Sequence, residues 1–328
     1  MQWDLIGDIG GTNMRLAAAA DGALIDTHVF PTKGGGPLCD AIATVTAAMG
    51  SVPRRAVVAG AGPIHDPEHE RVITLTNSGL RIDEAEIAGL TSGRAARVLN
   101  DFEAAAWSQV TIDPARIRTL HGAAKFPTAP RLILGPGTGL GVGSIVWHGD
   151  MPVVIPGEGG HVRVAAETDR DLAILRSYAR LFPEFVIGGG VALEAEALAS
   201  GTGIPNLYAA IAATDGQAIS PPPTPDIFAE ARNGEAIATE TVARFCATIA
   251  RVAGDLALFL NARGGVFLCG GIAAANPWAF ETPDVIDAFC QGGRFTAMRR
   301  DYNLHLVTDG AFGLDGALNY LCHVLGDG

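Results

Sequence analysis

The sequence has few of the features that mark a specialised class of protein. Its five cysteines are scattered without a Cys-x-x-Cys pair, so we expect buried reduced thiols and neither a zinc site nor a disulfide framework. Acidic residues outnumber basic ones. The resulting net charge of −12 argues against nucleic acid or an anionic membrane as the main partner.

Targeting and membrane-spanning segments are not predicted either. The apolar N-terminal segment contains Asp4 and Asp8 and lacks the basic start of a signal peptide. No uninterrupted apolar run reaches the ~18 residues that a membrane-spanning helix needs. We therefore expect a cytoplasmic protein.

Glycine, in contrast, is abundant, at 42 of 328 residues. The glycines are clustered, which predicts many tight turns and close approaches of the backbone. Apolar residues make up 48% of the chain and charged residues 18%, as is typical of a globular protein with a sizeable core. The length allows one large domain or two ordinary ones.

The first glycine cluster lies in a predicted hairpin near the N-terminus. Apolar segments at 5–7 and 16–18 flank the stretch Asp8-Ile9-Gly10-Gly11-Thr12-Asn13. The paired glycines allow positive φ and leave no side chain over the turn, so its N–H groups can cradle an anion such as a phosphate. Asp8 ends the first strand, where it could hold a Mg²⁺ ion directly or through water. For this stretch alone, an ordinary glycine turn is the alternative.

A second glycine hairpin repeats this layout. The apolar stretch 132–134 leads into Gly135-Pro136-Gly137-Thr138-Gly139, and another strand follows at 145–147. The spacing matches neither a P-loop nor a dinucleotide fingerprint, because no Gly-Lys-Ser/Thr follows and a strand stands where a helix would open. Two such hairpins, as from an internal duplication, predict two similar domains with the phosphates of one nucleotide held in the cleft between them.

Two polar motifs carry the candidate chemistry. Asn100 and Asp101 follow a strand and open a helix, where capping the helix N-terminus is the structural alternative to a catalytic role. Glu158 and His161 lie three residues apart among glycines, on backbone irregular enough for both to reach one small polar ligand. A solvent-exposed loop with incidental charge is the alternative there. His161 is a possible general base, although a sugar hydroxyl needs only a neutral imidazole.

The rest of the chain predicts alternating strands and helices. We predict a buried strand at 56–60, helices at 38–49, 169–182 and 236–261, a glycine run at 188–190 that opens a helix bearing Glu194 and Glu196, loops at 114–130 and 220–225, and a final helix from 313 to about 325. A domain boundary is expected near the 114–130 loop. It gives a small domain at 1–112, onto which a C-terminal helix of about 311–328 packs, and a large domain at 113–310.

Together these motifs resemble the bacterial glucokinase family of ATP-dependent hexose kinases. The matching stretches occur in the family's order, at 7–13, 100–102, 137–141, 156–161, 200–208 and 270–272. The resemblance implies an α/β fold of two ribonuclease-H-like (actin-like ATPase) domains, with mixed sheets flanked by helices and the active site in the interdomain cleft. It implies transfer of the γ-phosphate of ATP to the 6-hydroxyl of glucose, feeding glycolysis, with ATP and Mg²⁺ as cofactors. A homodimer is a family-level expectation.

The resemblance also implies a role for each matching position. Asp101 is the implied general base that receives the proton of the 6-hydroxyl. The implied hexose ligands are Asn100, Asp101, Glu158, His161 and Glu196. The implied nucleotide-binding residues are Asp8, Gly10, Gly11, Thr12, Asn13, Gly137, Thr138, Gly139, Gly270 and Gly271, with Asp8 associated with Mg²⁺ through water. Glu196 lies four residues before a Ser-Gly-Thr-Gly stretch, in which Thr202 replaces the family's usual proline. Glu194 is the alternative candidate for the glutamate that faces the sugar.

Two alternatives stay open at this point. One is a kinase on the same scaffold for mannose, an N-acetylated hexosamine or another small alcohol. The other is a nucleotide-dependent sugar sensor or an actin-like assembly protein without kinase activity. No helix-turn-helix or basic stretch precedes Asp8, as a DNA-binding sensor would need, and the Cys-rich zinc motif of the related repressor/kinase group is absent.

Overall fold

A computed structural model of the protein describes residues 2–34, 36–65, 71–75, 78–123, 127–310 and 312–326. The strands are β1 (Asp4–Ile9), β2 (Asn13–Ala20), β3 (Ala23–Pro31), β4 (Arg55–Gly60), β5 (Val72–Thr74), β6 (Arg81–Asp83), β7 (Ala95–Asn100), β8 (Ile117–His121), β9 (Arg131–Pro136), β10 (Leu140–His148), β11 (Met151–Gly157), β12 (Val186–Ile187), β13 (Ala192–Leu193), β14 (Gly265–Leu268) and β15 (Leu304–Val307).

The helices alternate with these strands along the chain. They are α1 (Leu38–Met49), α2 (Glu84–Gly89), α3 (Asp101–Ser108), α4 (Asp169–Leu181), α5 (Ala195–Ala199), α6 (Gly203–Thr214), α7 (Thr224–Arg232), α8 (Ala236–Leu260), α9 (Gly271–Ala275), α10 (Pro277–Phe280), α11 (Pro283–Cys290), α12 (Thr296–Arg300) and α13 (Phe312–Tyr320). Within the described part of the chain, no helix combines the length and apolar character needed to cross a bilayer.

The chain forms two compact units. Unit 1 comprises Met1–Ile112, His148–Ile155 and Ala311–Gly328, and unit 2 comprises Asp113–Trp147 and Pro156–Gly310. Each unit contains one large mixed sheet with helices packed against it.

The sheet of unit 1 has the order β3-β2-β1-β4-β7. β1 pairs antiparallel with β2 and parallel with β4, and β4 pairs parallel with β7. Because side chains alternate between the faces of a strand, Leu5 packs in a cluster with Ile42 of α1, whereas Ile6 packs in a second cluster with Trp107 of α3 and Leu314 of α13. The central strands are therefore covered on both faces.

The second sheet has the order β11-β10-β9-β14-β15-β8, and the strands from β10 to β8 repeat this pattern in unit 2. β9 pairs antiparallel with β10 and parallel with β14, just as β1 pairs with β2 and β4. β8 is an additional edge strand, antiparallel to β15. The prediction of two similar folds, each opened by a glycine hairpin, is confirmed by this shared topology.

Three local predictions were wrong. The glycine run does not open a helix: Gly188 and Gly189 have φ of 71° and 73° in the turn between β12 and β13, and helix α5 begins only at Ala195. The predicted loop at 114–130 contains strand β8. The predicted loop at 220–225 gives way to helix α7 from Thr224.

Candidate active site

The turn between β1 and β2 is closed by its own backbone and anchored from β3. The Gly10 N–H donates to the Asn13 carbonyl at 3.0 Å, and the Thr32 hydroxyl donates to the Gly10 carbonyl at 2.7 Å. The positive φ predicted for this turn is not found at Gly10. Thr12 and Asn13 are exposed, so the tip of the turn is accessible to a ligand.

Asp8 is a largely buried carboxylate on β1 with an arginine partner. Arg15 lies opposite it in the β1–β2 register and approaches its Oδ2 to 3.1 Å. Burial raises the pKa of Asp8, and the Arg15 guanidinium only partly offsets that effect. On the other side, Gly313 allows α13 to lie close, since a Cβ there would overlap the Asp8 carboxylate. A hard oxygen donor whose charge is incompletely balanced fits a role near a magnesium ion.

Asn100 provides the cap of helix α3. Its Oδ1 accepts from the N–H groups of Phe102 at 2.8 Å and Glu103 at 3.4 Å, and Glu103 completes a capping box. Its amide Nδ2 donates to the Gly62 carbonyl at 2.8 Å. Asn100 therefore forms the cap, and Asp101 Oδ1 also accepts the Phe102 N–H at 3.0 Å. Asp101 is the first residue of α3, at the carboxyl end of a parallel strand, where the helix N-terminus favours a negative charge.

The turn between β9 and β10 in unit 2 is braced by the segment before α6. The Gly137 N–H donates to the Gly139 carbonyl at 2.8 Å, and the Gly137 carbonyl accepts from the Gly201 N–H at 2.9 Å. The Thr202 hydroxyl donates to the Thr138 carbonyl at 3.0 Å. Thr202, the departure from the family's usual proline, thus holds the predicted phosphate turn.

The candidate sugar ligands of unit 2 form one polar cluster. His161 Nδ1 lies 3.0 Å from Glu194 Oε2, and His161 Nε2 lies 3.9 Å from Glu158 Oε2. The Glu196 carboxylate accepts the Leu140 N–H at 2.7 Å, directly after the phosphate turn. One ligand atom from each of His161, Glu194 and Glu196 lies within 4.8 Å of the others. The structure thus places both competing glutamates at the cluster, with different partners.

The cluster favours a protonated imidazole. The hydrogen bond that the Glu194 carboxylate accepts is the largest cause of the raised pKa of His161. Burial lowers this pKa, and the charges of Glu196, Glu194 and Glu158 raise it further. His161 is therefore better suited to donate a hydrogen bond to a sugar oxygen than to act as a general base.

Gly270 and Gly271 differ in what they contribute. Gly270 has φ of 97°, and a Cβ there would lie 2.8 Å from the Pro136 carbonyl oxygen, so glycine is required by the backbone. Around Gly271 nothing lies within 4 Å of the position of a Cβ. The open surface over which an adenosine could lie is therefore at Gly271.

Sequence reasoning missed two residues beside Asp8. Arg15 had a usable signal, because in a hairpin centred on residues 11 and 12 it lies directly opposite Asp8. Gly313 had none, since its approach to Asp8 depends on how α13 packs against the sheet.

Comparisons with known proteins point to one family. A family model described as Glucokinase matches residues 5–324. The glucokinase of Sinorhizobium fredii strain NGR234 is 37% identical over 300 residues, covering 90% of this chain and 85% of the relative. That of Caulobacter vibrioides strain NA1000 is 34% identical over 318 residues, covering 95% and 93%. Among solved structures, a glucokinase from an Antarctic psychrotroph superposes with a TM-score of 0.84 at 29% identity, covering 98% of this chain and 99% of the other. A ROK family glucokinase from Streptomyces griseus, in complex with glucose and AMPPNP, shares the fold with a TM-score of 0.58 at 20% identity, covering 97% and 98%.

Proposed function

The chain belongs to the glucokinase family, and we propose that it transfers the γ-phosphate of ATP to the 6-hydroxyl of glucose with Asp101 as general base. The fold is that of the actin-like, ribonuclease-H-like sugar kinases. The observation that carries the proposal is the fixed position of the Asp101 carboxylate at the start of α3. Asn100 forms the cap with a capping box, and Asp101, the first residue of the helix, accepts the Phe102 N–H at 3.0 Å, which leaves it further lone pairs for a proton.

In this mechanism Asp101 receives the proton of the 6-hydroxyl as that oxygen attacks the γ-phosphorus. A general base needs a heavy-atom distance of ~2.6–3.2 Å to the hydroxyl that it deprotonates. The N-terminus of α3 favours a negative charge at this position. Phosphoryl transfer depends mainly on alignment and charge, so the residues that orient the sugar matter as much as the base.

We assign the sugar hydroxyls to Glu158 and His161 of unit 2, with Asn100 and Glu196 as further ligands by family resemblance. The His161–Glu158 pair offers a donor beside an acceptor, which suits vicinal hydroxyl groups. Asn100 and Glu196 already bond to protein groups through Gly62, the α3 N-terminus and Leu140. Asn100 retains one amide N–H donor for a ligand, because its Oδ1 already accepts two bonds, and the Glu196 carboxylate retains acceptor lone pairs.

The phosphates of ATP are assigned to the two glycine turns, at 10–13 in unit 1 and 137–139 in unit 2. Because the Gly10 and Gly137 N–H groups already close these turns, we assign the anionic oxygens to other backbone N–H groups of the two turns, in a protein whose net charge is −12. Gly271 leaves space for the adenosine. Asp8 would hold Mg²⁺ through water, and the bound ion would neutralise charge on the β- and γ-phosphates.

Location and assembly are finer proposals that rest on the family resemblance and the charge. We propose a cytoplasmic, homodimeric enzyme. It acts on small molecules and not on nucleic acid or membranes.

A glucose-dependent ADP-release assay tests the proposed function. We expect kcat/KM for glucose to exceed that for mannose, N-acetylglucosamine and fructose, because the chain belongs to the glucokinase family. A higher value for one of the other sugars would replace glucose as the substrate. No ATP consumption with any hexose would favour a non-catalytic sensor.

Replacing Asp8 with asparagine tests the magnesium assignment. Asparagine keeps the shape of the Asp8 side chain but loses its charge. We therefore expect the Mg²⁺ concentration that gives half-maximal rate to rise ~10–100-fold, as is usual when a side chain that holds a metal through water is replaced. Initial rates at fixed ATP and varied free Mg²⁺ measure this. Asp21→Asn is the control, because Asp21 lies in a turn with φ of 51°, which asparagine also adopts. An unchanged Mg²⁺ dependence in Asp8→Asn would remove Asp8 from the magnesium site.

A further inference from the structure

Two glutamates that lie two residues apart serve different loops of unit 2. Glu194 precedes helix α5 and lies 3.0 Å from His161 Nδ1, whereas Glu196, in the first turn of α5, accepts the Leu140 N–H. Glu194 occupies the N-cap position, yet its side chain accepts no hydrogen bond from the helix. Its carboxylate therefore contacts the imidazole and does not cap the helix, which is what a polar side chain at the N-cap position often does.

The backbone holds Glu194 and the chain after His161 side by side. The Val164 N–H donates to the Leu193 carbonyl at 3.0 Å, and the Ala195 N–H donates to the Val162 carbonyl at 2.8 Å. These two bonds flank Glu194, and Arg163 forms a β-bridge with it. These backbone bonds hold the Glu194 carboxylate close to the His161 ring.

On the premise of the proposed function, we propose that Glu194 is a positioning residue that fixes the ring and tautomer of His161 for the sugar. A carboxylate acts only as an acceptor, so Nδ1 must carry the proton in this pair. Nε2 is then the nitrogen that meets the ligand, on the side where Glu158 Oε2 lies 3.9 Å away. That distance is longer than a hydrogen bond. Nε2 donates while the ring is protonated and accepts in the neutral Nδ1–H form. Glu194 thereby acts through His161 and does not bind the sugar itself.

Three acidic side chains of unit 2 lie close enough to His161 to act on its charge. Glu158, Glu194 and Glu196 act on its charge, and each of them favours the imidazolium. Removing the charge at 194 is therefore expected to lower the pKa of His161 towards its ordinary range. Removing the acceptor at position 194 altogether is also expected to abolish the preference of the His161 ring for the Nδ1–H form.

Two substitutions separate these effects. Glu194→Gln loses the charge but keeps an amide oxygen that can accept the Nδ1 proton, whereas Glu194→Ala loses both. We expect Glu194→Ala to raise KM for glucose on the order of ten-fold, as for the loss of one hydrogen bond to a charged group, with kcat and KM for ATP within about two-fold. Glu194→Gln is expected to stay within about three-fold of the unchanged protein, because the ring remains oriented.

Long-range ¹H–¹⁵N spectra of the labelled full chain report the tautomer directly, with His161→Asn identifying the signal. We expect the Nδ1–H form above the pKa in the unchanged protein and in Glu194→Gln, and loss of that preference in Glu194→Ala. The control is Glu184→Ala, which removes an exposed carboxylate from the same unit and should change neither the spectrum nor KM.

Several results would overturn the proposal. One is an Nε2–H tautomer in the unchanged protein, and another is a tautomer that survives in Glu194→Ala. An equal rise of KM in both variants would make Glu194 a direct sugar ligand. A thermal midpoint that falls in Glu194→Ala while the tautomer is kept would make its role structural. The spectra need no turnover, so a failure of the proposed kinase activity would leave the tautomer result standing and be recognised separately.

Discussion

Asp101→Asn is expected to lower kcat by ~10²–10⁴-fold, the usual contribution of a positioned general base, while glucose still binds. Asparagine keeps the size and the hydrogen-bonding oxygen of the side chain but cannot accept the proton of the 6-hydroxyl. Because Asn100 makes the helix cap, α3 should begin normally in this variant. Glucose-dependent ADP release measures the rate, and calorimetry measures sugar binding.

The control is Asp40→Asn, which removes a carboxylate from the first turn of α1 in the same unit. It shares the helix-terminal environment of Asp101 without a proposed role in the reaction, so kcat should stay within about two-fold. If Asp101→Asn lost glucose binding but kept kcat, Asp101 would be a sugar ligand and another group would be the base.

The second large effect is expected from Gly316→Ala, through stability. Gly316 lies where α13 packs on α3, and a Cβ there would overlap the main-chain carbonyl of Ala104. Since a backbone carbonyl cannot rotate away, the helices must move apart. This is expected to lower the free energy of unfolding by about 3 kcal/mol, the upper end of the usual range for overpacking. In a chain of this size that lowers the thermal midpoint by about 6–12 °C, measurable by calorimetry. The rate should fall as well, because α3 begins with Asp101.

Gly89→Ala serves as the matched substitution. Gly89 is also a helical glycine of unit 1, but no heavy atom lies within 4 Å of the position of its Cβ. Alanine there should leave the midpoint unchanged or raise it slightly, because glycine costs ~0.5–1 kcal/mol in a helix. Equal midpoints for the two variants would show that α13 and α3 have room to separate.

The sequence predicts well those features that depend on neighbouring residues. Helix α1 has the predicted bounds at Leu38 and Met49, and both glycine hairpins lie where their local pattern places them. The position of Asp101 at the start of α3 follows equally from an apolar strand, a polar pair and the alanine-rich run after it.

Features that depend on distant partners could not be predicted in the same way. Strand β8 exists because it pairs with β15, almost two hundred residues further along the chain. The two glutamates beside α5 show the same limit at the site. Glu194 meets a residue 33 positions away and Glu196 one 56 positions away, so no local pattern could say which of them faces His161.

The bracing of the 137–139 turn has a consequence for nucleotide affinity. Three hydrogen bonds, two of them from Gly201 and Thr202, hold this turn in place within unit 2. Fixing the backbone of a flexible loop costs ~1–2 kcal/mol per residue in conformational entropy. Here that entropy is lost when the protein folds, so the turn is preorganised. The phosphate binding proposed for it would then not be weakened by the need to order the turn.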